Sequence, residues 1–212
     1  MVKKLFWQDP YRTTCEAKVE RVEGNTVELD QTIFYAFSGG QASDKGTIGD
    51  ITVLEAKKEG SRIIYTLEQA PTFVAGDTVQ VKIDGERRKK MMRLHTAVHL
   101  VYFVFKDKTG IDKMIGSNLD DNKGRVDYES PESIASLLPE LEKAVNEIIQ
   151  QDPHIDRYPD EQDPEKWHWK CGSWECPCGG THVKSLKEVG KVALKRKNIG
   201  GGKERIEIYL VE

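Results

Sequence analysis

The sequence has no apolar run near the ~20 residues that a membrane-spanning helix needs, which sets aside a helical membrane protein. No export signal is expected either, because the apolar stretch of MVKKLFWQDP is broken by Gln8 and Asp9. Cysteine is scarce, with only Cys15, Cys171, Cys176 and Cys178. In a chain without such a signal the expected setting is the reducing cytoplasm, where thiols bind metal or stay free rather than pair. Internal repeats and low-complexity tracts are missing, which excludes solenoids and compositionally biased segments. Neither sign of charge dominates: 32 basic and 35 acidic residues leave a net charge of −3. With 38% hydrophobic and 32% charged residues over 212 positions, the composition is that of a water-soluble globular protein holding one large or two small domains.

The charge is unevenly spread. Residues 184–205 carry eight basic residues against two acidic, and 86–93 carry five against one. Residues 156–165 are the reverse, with five acids and one arginine. A single basic run is ordinarily a solvated face; two of them, each beside a histidine motif described below, point to a polyanionic partner.

Between residues 14 and 83, short alternating segments are punctuated by Gly, Pro and Asn, which predicts an antiparallel barrel or sandwich. At Asp84, a candidate N-cap, the pattern becomes helical and continues to a stop at Gly110. MIGSNL and GRVDYES around DDNKG predict a hairpin, and Ser130-Pro131 a helical turn. A second helix is expected from about Pro139 to Gln151, then an irregular stretch over 152–176 rich in Pro, Asp and Trp. GKVALKRKN and KERIEIYLV around Ile199 and three glycines predict a closing basic hairpin.

Chemistry concentrates in RLHTAVHL and PCGGTHV. His95 and His99, four apart on a helix, share one face, and Cys178 and His182 can converge across the Gly-Gly turn. Three imidazoles and a thiolate are donors that zinc prefers. The site is either closed and structural or open and catalytic. Thr96 stands where the HExxH proteases carry their glutamate base, so peptide hydrolysis is not expected. An activated ester is an easier target, needing mainly positioning and a polarised water. A separate site at His168, Cys171 and Cys176 is the weaker alternative. Trp167, Trp169 and Trp174 either stack on unpaired bases or fill a core edge. FYAFSGGQ, residues 34–41, has the composition of a tight turn.

In this order, FYAFSGGQ, HTAVH, the GRVDY hairpin and CGGTHV resemble the AlaX family of free-standing alanyl-tRNA editing proteins over nearly the whole chain. The resemblance implies an α+β protein: a glycine-rich small antiparallel β-barrel over 1–85 and a two-layer α/β editing domain over 86–212. It implies Zn2+ at His95, His99, Cys178 and His182, and hydrolysis in trans of Ser-tRNA(Ala), often also Gly-tRNA(Ala). The implied partner is tRNA(Ala) carrying the wrong amino acid, with no role for DNA or membrane. Thr32 matches a threonine that the family places near the substrate amino acid, and Gln41 is expected beside it. Val98 departs from the hydroxyl residue that related synthetase domains often carry before the second histidine. Lys195, Arg196, Lys197, Lys203 and Arg205 are expected to meet phosphate. Two other readings compete: an RNA-binding module with a structural zinc, and a zinc hydrolase of small esters.

Overall fold

A computed structural model describes residues 2–130 and 132–211. It is a mixed α+β protein with mostly strands and two α-helices among the described residues. The chain falls into two compact units, Met1–Lys90 and Met91–Glu212. The division lies inside the first helix, at residue 90, beyond the 85 at which the sequence pattern changes.

The first unit holds β1 (Lys3–Lys4), β2 (Thr14–Glu23), β3 (Thr26–Leu29), β4 (Gln31–Thr32), β5 (Gly46–Ile48), β6 (Ile51–Glu59), β7 (Arg62–Leu67) and β8 (Thr78–Ile83). Six strands pair in the ring β2-β3-β7-β6-β5-β8, and β8 returns to β2. Every pairing in the ring is antiparallel. Alternation makes this possible: Cys15, Ala17 and Val19 of β2, Ile63, Tyr65 and Leu67 of β7, and Val79, Val81 and Ile83 of β8 all point into one apolar core. Register shifts at Val19/Arg21 and Val53/Glu55 mark bulges, the devices that bend strands toward closure.

Helix α1 spans Gly85–Thr109. Its start is capped as expected, the Asp84 carboxylate accepting the Arg87 N–H at 3.0 Å. It stops where Gly110 takes φ 72° and its N–H reaches the Lys106 carbonyl at 2.8 Å. The basic run at its start is only partly a surface. Arg88 is 1% exposed and ion-paired with Asp44, and Arg87 donates to the Ser43 carbonyl at 2.7 Å.

In the second unit, β9 (Met114–Leu119) and β10 (Gly124–Glu129) form the expected hairpin, followed by α2 (Leu138–Gln151). Pro131 of the expected Ser130-Pro131 turn lies outside the described residues. After β11 (Ile155–Pro159), β12 (Trp167–Cys171) and β13 (Trp174–Pro177) come β14 (Val192–Gly200) and β15 (Lys203–Leu210). The larger sheet runs β14-β15-β10-β9. Its edge strand β14 is covered by α2: Asn146 brackets the Val192 N–H and carbonyl at 2.9 Å, and Glu142 accepts the Leu194 N–H at 2.8 Å. Residues 152–176, expected to be irregular, instead supply most of a three-stranded antiparallel sheet, β11-β12-β13. No helix among the described residues is long and apolar enough to cross a membrane.

Candidate metal centre

Two segments build the centre. Helix α1 supplies His95 and His99, one turn apart, and the loop leaving β13 supplies Cys178 and His182. Their donor atoms all lie within 4.8 Å of one another. Cys178 Sγ is 3.2 Å from His182 Nε2 and 3.5 Å from His95 Nε2. Tetrahedral zinc with ordinary bond lengths separates a sulfur and a nitrogen ligand by about 3.5 Å, so donor set and spacing both fit that ion. The alternative grouping of His168, Cys171 and Cys176 is not assembled. His168 pairs with Asp160 at 3.0 Å, and Cys171 is buried elsewhere on β12.

Residues that the motif alone does not single out orient these side chains. Thr96 is fully buried, and its hydroxyl meets His182 Nδ1 at 3.1 Å, leaving Nε2 for the centre. Cys176 Sγ lies 3.2 Å from His99 Nδ1. The buried Trp169 ring packs 4.8 Å from His99, and Phe103 and Trp174 continue the aromatic stack. Trp174 also donates from Nε1 to Asp107 at 2.9 Å. The tryptophans therefore support the core edge and the centre. Val98 packs against the backbone of Gly124, whose hypothetical Cβ would sit 2.6 Å from Val98 Cγ2.

Burial sets the protonation of the donors. It pushes His95 and His182 well below the ordinary imidazole range and His99 down to about 3, with the Arg157 charge adding to each. Neutral imidazoles are the form that binds metal. Burial raises the Cys178 thiol and takes that of Cys176, beside His99, up to about 12. Arg157 of β11 reaches the ligand loop directly, Nη2 donating to the Gly180 carbonyl at 2.7 Å while the guanidinium lies 5.4 Å over the Trp167 ring.

The other expected residues are placed as follows. Thr32 is fully buried in the first unit, its Oγ1 accepting the Phe34 N–H at 2.9 Å and the Tyr65 hydroxyl at 2.7 Å. Gln41 is also fully buried there and closes a tight turn, in which Ser38 and Gln41 exchange backbone hydrogen bonds. Gly39 and Gly40 adopt φ 57° and 83° in that turn, values that residues with a Cβ rarely take. On the closing hairpin, Lys195, Lys197 and Lys203 are exposed. Arg196 is held by Glu204 at 2.6 and 2.7 Å, and Arg205 by Asp127 at 2.7 and 2.9 Å.

A family profile described as tRNA synthetases class II (A) matches residues 6–87, and one described as the threonyl and alanyl tRNA synthetase second additional domain matches residues 170–207. An alanine--tRNA ligase of Methanococcus maripaludis is 32% identical, and 96% of this chain aligns with 25% of that protein. The alanyl-tRNA editing protein AlaX-M of Saccharolobus solfataricus is 31% identical, over 97% of this chain and 98% of the relative. AlaX-M of Pyrococcus horikoshii is 34% identical, over 99% of this chain and 98% of its own. Similarity of that extent, end to end against proteins of matching length, shows that the chain belongs to the alanyl-tRNA editing protein (AlaX) family.

Proposed function

We propose that the protein hydrolyses, in trans, the ester of tRNA(Ala) carrying serine, and of tRNA(Ala) carrying glycine, in a zinc-dependent reaction in the cytoplasm. The observation that carries this reading is the convergent cluster of three imidazoles and one thiol in a chain of the AlaX family. The first unit acts as a glycine-rich barrel domain and the second as a two-layer α/β editing domain. Zinc held by His95, His99, Cys178 and His182 would supply Lewis-acid polarisation of the ester or of water. The chain's own residues do the rest. Thr96 and Cys176 fix the rings of His182 and His99, and Trp169 packs against them to keep water from that side.

The need for such an enzyme is physical. A pocket for alanine cannot exclude glycine by size, and it rejects an added hydroxyl by only about 100-fold. The editing site faces the converse problem, because it must spare Ala-tRNA(Ala), whose side chain fits wherever serine does. A buried polar group solves this, since it is left unpaired when the substrate lacks a hydroxyl. Thr32 and Gln41 are the polar side chains assigned to that task. Deacylation of Ser-, Gly- and Ala-tRNA(Ala) measured side by side is expected to show serine released and alanine spared. Thr32→Val in the same assay is expected to slow serine release and narrow the serine-to-alanine ratio. It also removes the acceptor of the Tyr65 hydroxyl, at a cost of about 1–3 kcal/mol in stability. An unaltered ratio in a folded, zinc-loaded variant would take Thr32 out of the pocket.

The exposed lysines of the closing hairpin are assigned to phosphate. Arg196 and Arg205 lie in the same patch and are already bound to Glu204 and Asp127. Changing Lys195 and Lys197 to Glu is therefore expected to flatten the log-log salt dependence of tRNA binding by about 0.7 to 0.9 per lost contact. Zinc content should be unchanged. A salt slope equal to that of the wild type would remove this surface from the tRNA path.

A further inference from the structure

The segment that enters the tight turn of the first unit buries four residues in succession, Ile33, Phe34, Tyr35 and Ala36, and then turns Phe37 out to 59% exposure. The Phe37 ring has no aromatic neighbour among the described residues, yet its backbone is fixed on both sides. Phe37 bridges Lys57 of β6 in parallel. The next residue, Ser38, exchanges backbone hydrogen bonds with Gln41, and its carbonyl accepts the Tyr35 hydroxyl at 3.0 Å. A ring held in this way loses little freedom when something packs on it. Beside it, Gly39 and Gly40 have no side chains, and their N–H groups meet no acceptor among the described residues. Partners across a bridge project to the same face, so Lys57 lies on the side of Phe37. Lys57 pairs with Glu59 at 3.0 Å, the two side chains being 64% and 40% exposed. Such a pair is worth little in water, and a phosphate can replace its carboxylate. Lys58 is exposed and has no ion pair among the described residues.

We infer that Phe37 is a stacking platform for an unpaired base of the tRNA 3′ end, with the Gly39 and Gly40 amides and the two lysines on the phosphodiesters that flank that base. This rests on the aminoacyl-tRNA reading above, which requires the protein to hold a single-stranded acceptor end. A lone exposed apolar side chain needs no partner of its own, and it is the company of Phe37 that points to a nucleotide. An open ring face, free amides and mobile ammonium groups match, in turn, a base, a phosphate oxygen and its charge. A second copy of the chain calls for a broader apolar patch than one ring among lysines. The exposed Glu55 and Glu59 leave this part of β6 mixed in sign, so stacking carries more of the contact than charge does.

The test compares binding of two uncharged forms of tRNA(Ala): one intact, and one whose unpaired 3′ nucleotides are abasic, which keeps the phosphates and removes the bases. Phe37→Ala is expected to bind the intact form about 5- to 150-fold more weakly, the range for one lost base–aromatic stack. On the abasic form it should equal the wild type, and its salt slope should be unaltered because no charge is removed. Phe37→Tyr keeps the ring and should stay within about twofold of wild type. Leu54→Ala removes a side chain of similar exposure, 63%, from β6 and should change nothing. Changing Lys57 and Lys58 to Gln should flatten the log-log salt dependence by about 0.7 per contact, the single-strand value. A Phe37→Ala variant that binds intact tRNA as the wild type does, or that loses as much on the abasic form, overturns the stack. A changed oligomeric state of Phe37→Ala in sedimentation overturns it too, in favour of a contact between copies. An unaltered slope in the lysine double variant overturns the phosphate contacts, and a wild-type protein that binds no tRNA overturns the whole proposal. Base-dependent binding through Phe37 without hydrolysis of any of the three esters refutes the editing reaction alone. Deacylation of Ser-tRNA(Ala) with Phe37→Ala at wild-type affinity keeps that reaction and overturns the stack.

Discussion

Cys178→Ala is expected to lower zinc from about one per chain to near zero and to abolish deacylation of Ser-tRNA(Ala). Cys178 is the only donor in the cluster that carries charge when it binds. Its removal leaves three neutral imidazoles to hold a dication beside the Arg157 guanidinium. Structural zinc sites contribute on the order of 10–16 kcal/mol at neutral pH, so the loss of one of four ligands takes most of the affinity away. His95→Ala should behave in the same way. Thr96→Val provides the scale for comparison: it keeps all four donors and removes only the hydroxyl at His182 Nδ1, a change that typically costs about 10–100-fold in metal affinity. Metal analysis of the purified variants, with circular dichroism to confirm folding, reads both effects. Full zinc occupancy and wild-type turnover in Cys178→Ala would reject the ligand assignment.

The centre was legible because helical spacing is rigid. Residues four apart must share a face, and a Gly-Gly turn allows Cys178 and His182 to approach one point. The same geometry carried a signal for Thr96, which lies three residues before His99 and faces the centre with it. The motif draws attention to what Thr96 is not, a glutamate, and away from what it does. Cys176 has a weaker sign, since side chains two apart on β13 and the residue leaving it fall on one side of the strand. Arg157 has none. It sits twenty-one positions before Cys178 in an acidic stretch, and only the pairing of β11 with β12 brings it to the ligand turn. That small sheet escaped the sequence pattern because its strands are short and mostly polar, with Pro159 and Pro177 at the ends of β11 and β13 and Pro164 in the connection between β11 and β12. Strands β7 and β8 of the first unit, and β2 as far as Val19, were legible for the opposite reason: their buried positions alternate without interruption. Thr32 and Gln41 drew their assignment from family resemblance alone, since nothing in their spacing specifies a pocket.

Charge counts misled in one place, and the consequence is a large stability effect. Arg88 belongs to the basic run that suggested a polyanion surface, yet both its side chain and that of Asp44 are 1% exposed. Its Nε donates to Asp44 Oδ1 at 3.0 Å, Nη1 to the Pro10 carbonyl at 2.9 Å, and Nη2 to the Ile33 carbonyl at 2.7 Å and to Asp44 Oδ2. Asp44 in turn accepts the Tyr35 N–H at 2.7 Å. One guanidinium thus ties the start of α1 to three separate segments of the first unit. Arg88→Met fills similar volume but leaves a carboxylate and two carbonyls buried without their donors. The expected loss is about 3–5 kcal/mol, the usual cost of removing one partner of a buried pair. For a chain of this size that lowers Tm by roughly 6–20 °C. Arg88→Lys should recover little, because one ammonium cannot span acceptors placed for a planar fork. The double variant Arg88→Met, Asp44→Leu should be more stable than Arg88→Met alone, since it removes the stranded charge. Zinc content of the folded protein should stay at the wild-type level in all of them, because the ligands lie in Met91–Glu212. Urea or thermal unfolding decides the matter: an Arg88→Met variant within about 1 kcal/mol of wild type would show that the pair does not hold the first unit together.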